Sequence, residues 1–326
     1  MRLGRRGREL RPFCVQAEVR PRGYSRRLQK ALVDFGAEGA FAPATRRVRE
    51  HYGIDVPESG VRQWTFLHGK AMAGMAEKAE PKEAATSVVT EMDGSMVPVV
   101  QPGAGKDRRK GKTLLWREAR LCCARAAASV TPVYGATLGS VGAASLLWRQ
   151  TADLAGVKNQ TYVHGVGDGA PWIVDQFTEN FGGQGAYLID FYHVSEYLAA
   201  AAFAVAPGKE RAWRRRQQGR LLDNRPAPVL RSLEKHLEPV GSKERPVAGA
   251  AHYVRQRLAH LDYAGARRRD LPIGSGEIES GHRHVIQHRL KLSGAWWTER
   301  NLESMLQLRV ARANNWWDSY WQSTAN

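Results

Sequence analysis

The sequence predicts an α/β protein: a mixed sheet with parallel members, preceded by a small helical unit and interrupted by a basic all-α insertion. Three observations carry that prediction. β-rich runs between about 87 and 127 give way to a β–α–β alternation with helical crossovers, the arrangement a partly parallel sheet needs. Residues 24–75 show helical spacing throughout. From 208 to about 270 the alternation stops, and helical, arginine-rich sequence takes its place. At 326 residues, with 43% hydrophobic and 25% charged residues, the chain is long enough for more than one domain and ordinary in its core content.

Residues 1–23 read as a disordered basic arm. Three helices follow over 24–75 and predict a helix-turn-helix-like domain. The first, YSRRLQKALVDFGA, places Leu28, Leu32 and Phe35 on one face, and the second, FAPATRRVREHYG, has Pro43 near its start. The third begins at Glu58 or Ser59 behind Pro57 and carries Arg62 and Gln63 in its first turn. In such a domain the helix after the turn enters the major groove, which makes Arg62 and Gln63 candidate DNA contacts. Plain three-helix packing is the alternative.

Residues 76–86 form a charged linker, and the core, 87–326, opens with two short β-rich runs around Asp93-Gly94. A third strand is expected in TLLWREARLCCARAA, and GSVGAASLLWRQTADLAG reads as a helix with Leu146, Leu147 and Leu154 on its apolar side. A strand ending near Asp168 precedes a helix opened by Pro171 and stopped at Gly182; a further strand then runs into an Ala-rich helix. After the insertion, about 194–273, GSGEIESGHRHVIQHRLKL restarts the core as a helix. An amphipathic C-terminal helix leads to Trp316, Trp317, Tyr320 and Trp321, which either pack in the core or stack on splayed bases.

Lys and Arg number 49 against 32 Asp and Glu, for a formal net charge of +17. The excess is localised: residues 1–30 hold ten Lys/Arg and two Asp/Glu, and residues 209–270 hold sixteen and seven. Clustered positive charge of this kind is the footprint of a polyanion binder. It makes Arg214, Arg215 and Arg216 candidate phosphate contacts, with solvated arginine-rich faces as the alternative. The three cysteines, Cys14, Cys122 and Cys123, supply neither a disulfide framework nor a Cys-based zinc site, and they fit a reducing cytoplasm. No apolar run is long enough to span a membrane, and the Arg-rich start lacks the apolar core of a secretion signal.

Three carboxylates stand in settings that suit a metal ligand: Asp93 in TEMDGS, Asp168 in GVGDGAPW and Glu279 in IGSGEIESGHR. An α/β sheet places ligand groups outside the carboxyl ends of its strands. Hard oxygen donors, few per ion, are what Mg²⁺ takes when a substrate phosphate completes its shell. Each has a competing reading. Asp-Gly between β-runs is a hairpin-turn signal, and Glu91 shares a strand face with Asp93. Asp168 also suits a helix N-terminus. Asp190 and His193 in DFYH lie within reach of the same crevice if their strand neighbours that of Asp168; a cap beside a packed histidine is the alternative. Glu277 and Glu279 stand about 200° apart on a helix, so only one of them faces a given metal. Glu279, Arg283 and Gln287 form a polar stripe that is either functional or simply solvated.

GDGAPWI, LIDFYHVSEYL and IGSGEIESGHRHVIQHRLKLSGAWW, with WREAR in support, resemble bacterial insertion-sequence transposases of the DDE class, near the ISKra-type family and more distantly the Mutator-like elements. The resemblance runs from about 87 to 321. It implies an RNase H-like catalytic core in which Asp93, Asp168 and Glu279 are the three metal-binding acids. Asp190 and His193 would match the Asp-x-x-His motif, and 194–273 the all-α insertion. It also implies two Mg²⁺ ions, with Mn²⁺ able to substitute, and cleavage of double-stranded DNA at element ends followed by strand transfer to target DNA. The expected enzyme is a homo-oligomer on DNA, in the cytoplasm and associated with the nucleoid, with Arg283 among the residues that contact DNA. Two departures stand out: Glu277 occupies a position usually apolar, and the N-terminal region is short for the family. Two other classes remain open: an RNase H-like structure-selective nuclease without strand transfer, and a catalytically dead helix-turn-helix DNA-binding protein.

Overall fold

Residues 23–103 and 111–323 are described by the computed structural model. The basic arm expected over 1–23 lies outside them except for Gly23. By packing, the chain divides into two units. The first takes in the described residues of Met1–Glu77, Val97–Arg117 and His284–Asn326, and the second comprises Lys78–Met96 and Glu118–Arg283.

The first unit starts with the three expected helices. Helix α1 (Arg26–Glu38) follows Ser25, whose hydroxyl accepts the Leu28 N–H and so satisfies one of the first turn's orphan donors. Helix α2 (Phe41–Tyr52) stops at Gly53, where φ is 65°, a left-handed conformation that favours glycine. Helix α3 (Glu58–Met72) begins behind Pro57. Leu32, Ala44, Val48, Val56 and Val61 form their shared core, with Phe35 and Trp64 packed against it.

In the second unit the sheet is built from β1 (Ser87–Gln101), β2 (Thr113–Ala126), β3 (Val133–Thr137), β4 (Tyr162–Gly167) and β5 (Gly185–Ile189). Their order is β3-β2-β1-β4-β5, with β4 parallel to both β1 and β5, and β3 antiparallel to β2. The far end of β1 and the start of β2 belong to the first unit. The sheet is therefore mixed, with helical segments inserted between its strands.

Two expectations about this sheet need correction. Asp93-Gly94 is not a hairpin turn between two short runs: it lies inside one continuous strand, Ser87–Gln101, just past the last residues paired with β4. Gly94 serves close approach instead, since a Cβ there would lie 2.2 Å from Glu118 Oε1. Strand β3 also completes an edge of the sheet that the apolar pattern had not marked.

Helix α4 (Val141–Leu154) is capped by Ser140, whose hydroxyl accepts the Ala143 N–H. It buries Ala144, Trp148 and Ala152, and Trp148 Nε1 donates to Thr90 Oγ1 on β1. Leu146, expected on the apolar side, is instead 76% exposed. Trp148 fixes the buried face, and two residues away on a helix is nearly the opposite side. Helix α5 (Pro171–Phe181) packs on the same sheet face through Phe177 and Phe181, whose rings lie 5.9 and 5.6 Å from Trp148. Gly165 makes room for them: a Cβ there would approach Phe177 to 2.5 Å.

Helix α6 (Phe191–Val205) leads into the insertion, which consists of α7 (Glu210–Leu222), α8 (Pro226–Glu234), α9 (Pro246–Gln256) and α10 (Tyr263–Arg268). The chain returns to the sheet through α11 (Gly276–Gly281), followed by a π-helical stretch over His282–Gln287. That wider turn breaks the 3.6-residue spacing on which the Glu279–Arg283–Gln287 stripe was drawn, although all three residues are exposed.

Helices α12 (Glu299–Ala313) and α13 (Trp317–Ser323) complete the first unit. Gly69 of α3 lies against α12 so closely that a Cβ would stand 2.2 Å from the Ser304 carbonyl oxygen. Tyr320 and Trp321 are buried, which gives this end of the tail a packing role. They enclose His68, whose Nδ1 is 2.7 Å from the Tyr320 hydroxyl and whose Nε2 is 3.1 Å from Gln29 Oε1. Among the described residues, no helix is long and apolar enough to cross a membrane.

Burial, with Arg26 adding to it, holds His68 at a pKa of about 4. In the unfolded chain the ring protonates near its ordinary value of 6.5. The stability that neutral His68 contributes is therefore intact above that value and lost as the pH falls toward 4. The melting temperature should drop on acidification across this window, and less so in His68→Gln, which cannot take up the proton. Calorimetric scans at three pH values test this; identical slopes for the two proteins would show that another group titrates.

Candidate functional site

The site is organised by strand register. β1 and β4 pair in parallel from Ser87 opposite Tyr162 to Glu91 opposite Val166, so continuing by two residues sets Asp93 opposite Asp168. β4 and β5 pair from Val163 opposite Gly185 to Gly167 opposite Ile189, and the next step sets Asp168 opposite Asp190. Alternation along a strand puts Glu91 and Asp93 on one face, and parallel partners share a face. Three aspartates thus stand in a row across three adjacent parallel strands, Asp93 within β1 and Asp168 and Asp190 just past the carboxyl ends of β4 and β5. β1 lies between β2 and β4, where the strand order reverses, and in an open α/β sheet that is where ligands bind.

The three differ in what they are free to do. Asp190 is buried and committed: its Oδ1 caps α6 by accepting the Tyr192 and His193 N–H groups at 2.6 and 3.0 Å. Its Oδ2 accepts the Ser275 N–H and hydroxyl at 2.7 and 2.5 Å. Asp190 therefore ties the turn before α11 to the start of α6. His193 faces Tyr197 and Tyr253, with ring centroids 5.5 and 5.6 Å away, and its Nδ1 is 3.6 Å from Glu196. Its side chain is 37% exposed.

Asp168 is half-buried, with Oδ1 accepting the Ala170 N–H at 2.9 Å. The insertion grips the loop that carries it. The Tyr253 hydroxyl donates to the Asp168 carbonyl at 2.6 Å, and Arg257 donates to the Gly169 carbonyl at 2.9 Å. Burial pushes the Tyr253 hydroxyl up, so it remains a donor at any physiological pH. Gly169 has φ of 74°, and a Cβ there would clash with Ile189 and Arg257.

Asp93 is the most open, with a side chain 43% exposed. Its Oδ1 accepts the Gly94 N–H, and its Oδ2 lies 3.0 Å from Nε2 of His282. That contact has the distance of an ion pair without the alignment of a hydrogen bond, and both ring nitrogens of the buried His282 lack a hydrogen-bond partner. An imidazole so placed is a ready nitrogen donor.

Helix α11 is held over this face by carboxylates. Glu91 Oε2 accepts the Ile278 N–H at 2.7 Å. Burial pushes Glu91 up to about 8, with Glu277 and Asp190 adding to the effect and the Ile278 N–H and Arg125 opposing it, so Glu91 holds its proton near neutral pH. Glu277 is ion-paired with Arg125, whose Nη1 also donates to the Ala127 and Ser129 carbonyls at 2.9 Å. Glu279 is exposed one turn before His282, so the two residues lie on the same side of the helix.

Of the three acids expected to bind metal, strand register aligns Asp93 with Asp168, and Glu279 stands exposed on the helix that carries His282. Among the described residues, no set of three or more His, Cys, Asp and Glu side chains is grouped closely enough to hold a metal ion. Arg283, Arg215 and Arg216 are exposed, Arg214 is half-buried, and Arg62 and Gln63 are exposed on α3. His282, the buried Glu91 and Arg125 were not among the expected site residues. The Glu91 signal was its spacing two residues before Asp93; the other two depend on tertiary contacts.

The sequence model of an uncharacterised protein family, UPF0236, matches residues 156–322. The chain belongs to this family. The UPF0236 match covers Asp168, Asp190, Glu277, Glu279 and His282 and begins after Asp93. No curated protein matches the sequence. Among solved structures, the chain is similar to the Drosophila P element transposase strand transfer complex, at 8% sequence identity and a TM-score of 0.33, over 95% of this chain and 82% of that one.

The side chains here include oxygen donors of the kind a divalent cation takes, although among the described residues no three are grouped closely enough to hold one. Asp93 and Asp168 offer hard carboxylate oxygens, and His282 brings an orphaned buried nitrogen to Asp93.

Proposed function

We propose that this member of UPF0236 is a DNA transposase of the DDE class, related to the ISKra-type insertion sequences, that cleaves element ends and transfers the freed strand to target DNA. The observation that carries this reading is the register that sets Asp93 opposite Asp168 at the switch point of a mixed sheet. Asp93, Asp168 and Glu279 would hold Mg²⁺, which supplies Lewis-acid polarisation of the phosphodiester and a more acidic bound water; Mn²⁺ would substitute.

The chain's own residues hold and aim. His282 restrains Asp93, and Tyr253 and Arg257 hold the Asp168 loop by its carbonyls. Asp190 and Glu91 dock α11 across the strand ends. Arg283, next to His282, and the insertion's Arg214, Arg215 and Arg216 would neutralise backbone phosphates, while Arg62 and Gln63 on α3 would meet the groove as part of a helix-turn-helix. In the first step a water oxygen bonds to phosphorus as the bond to the 3′ oxygen breaks. The oxygen of the freed 3′-OH then bonds to a target phosphorus as that phosphodiester's own bond to its 3′ oxygen breaks, leaving a 3′-OH on the cut target strand. The protein would act as a homo-oligomer on double-stranded DNA in the nucleoid.

The test is incubation of the purified chain with labelled DNA carrying the ends of its own element, with Mg²⁺ or Ca²⁺. Cleavage and joined products in Mg²⁺, with binding but no cleavage in Ca²⁺, support the proposal. Cleavage without joining identifies a nuclease of the same fold, and binding without cleavage in either ion overturns the enzyme reading. Affinity should also fall steeply with salt. If about six phosphates are neutralised, the log–log slope is about −5. A slope near −2 would show that the arginine-rich helices are merely solvated.

A further inference from the structure

The loop between the π-helical stretch and α12 contains two adjacent tryptophans with opposite fates. Gly294, with φ of 75°, makes the turn before them. Trp297 is pinned to the far end of β1 by a parallel bridge to Val99, and its carbonyl accepts the Val100 N–H at 2.7 Å. Neighbouring residues on extended backbone point to opposite sides. Trp297 accordingly turns inward, 3% exposed, and its Nε1 donates to the Leu290 carbonyl; Trp296 turns outward and is 49% exposed.

These two rings border a cavity of about 600 Å³ within the first unit. Its inner wall is aromatic: Phe66 meets Phe41 and Trp297 edge-on, at 5.6 and 6.3 Å between centroids. Positive charge surrounds it. Arg289 is buried with its guanidinium 4.8 Å from the centroids of both Phe41 and Trp297. Burial lowers its pKa only to about 10, so it stays charged at neutral pH. Lys112 Nζ sits 3.5 Å over the Trp296 ring, and Arg62 lines the cavity beside one acid, Glu58. A half-exposed indole capped by a mobile-stemmed ammonium is a stacking surface occupied by a replaceable cation. Among the described lining residues, three cations against one carboxylate favour an anion, and the aromatic wall favours a flat ring.

We propose that this cavity binds an unpaired nucleotide of a DNA strand, its base stacked on Trp296 and its phosphate met by Lys112 and Arg62. The inference rests on the proposed DNA substrate and adds to it a site for a strand whose bases are not paired. Base-on-aromatic stacking tolerates any sequence, because every base has a π-face. A paired base in a duplex is already stacked on both sides and cannot enter the cavity.

The probe is a labelled oligothymidylate, with a blunt duplex of equal length as comparison, read by anisotropy on the full chain without divalent metal. Trp296→Ala should weaken the single strand by roughly ten-fold or more and the duplex by less than about two-fold. Trp296→Phe should restore most of the single-strand affinity, which also shows that the Ala effect is not misfolding. A single 5-iodouracil in the oligomer should photocrosslink to Trp296. Equal weakening of both probes by Trp296→Ala, no weakening of either, or a crosslink outside the cavity would each overturn the inference. Duplex binding without single-strand binding by the unmutated chain also overturns it while leaving the proposed function standing. Binding of neither probe removes the DNA reading itself.

Discussion

Asp168→Asn abolishes Mg²⁺-dependent cleavage of element ends and leaves affinity for the same DNA within about three-fold, since the phosphate contacts lie elsewhere. The substitution is conservative in everything but charge. Asn keeps a carbonyl oxygen that can accept the Ala170 N–H, as Asp168 Oδ1 does at 2.9 Å, so the helix start survives. The backbone carbonyl held by Tyr253 is untouched. What disappears is one negative oxygen donor at the strand end, and a hard divalent cation depends on such donors. The variant should melt like the unmutated chain and cleave slower by several orders of magnitude. Undiminished cleavage would remove Asp168 from the site and, with it, the meaning of its alignment with Asp93.

Glu277→Gln and Glu279→Gln should fail in different ways. Glu277 is committed to Arg125, a half-buried ion pair in which the arginine side chain is 14% exposed. Its neutralisation leaves part of a shielded guanidinium without a counter-charge and should cost about 1–3 kcal/mol of stability. Cleavage should persist at temperatures where the variant is folded. Glu279 has no such commitment and is exposed, so Glu279→Gln should leave the melting temperature unchanged within about 1 °C. It should lose cleavage and strand transfer by roughly a thousand-fold or more, as expected when a charge that stabilises the transition state is removed. Melting curves and single-turnover cleavage on pre-nicked ends, measured on both variants, decide between them. A stable, inactive Glu277→Gln would make Glu277 the third acid and leave Glu279 as surface.

Much of this arrangement could be read from local sequence. Gly-Asp-Gly-Ala-Pro carries its own instructions for a strand end, a close backbone approach and a helix start, and the chain obeys them from Tyr162 to Phe181. The cap at Asp190 and the stop at Gly53 are equally local. What misled was a local signal overruled by long-range pairing. Asp93-Gly94 has strong hairpin chemistry, yet the sheet carries it straight through as part of one fifteen-residue strand. Leu146 looked apolar in a helix whose buried face is set by the Trp148 contact to Thr90, far away in sequence. The meeting of His282 with Asp93, and of Glu91 with the Ile278 N–H, joins residues nearly two hundred positions apart, and no periodicity records such encounters. The π-helical stretch after Gly281 likewise has no composition that announces it.

The grip of Tyr253 and Arg257 on the Asp168–Gly169 backbone has a consequence for anyone shortening or labelling this protein. A minimal version cannot be made by cutting out 208–270 and rejoining the ends. Excision would strand two carbonyls at the very loop that carries an acid, and it would also remove Val229, Val247 and Tyr263 from the core they share with Val88, Val163 and Ile189. The link between α8 and α9 offers the opposite opportunity. Val240 there is 94% exposed, so a fluorophore or affinity tag at that tip would ride on the insertion without disturbing the loop it holds.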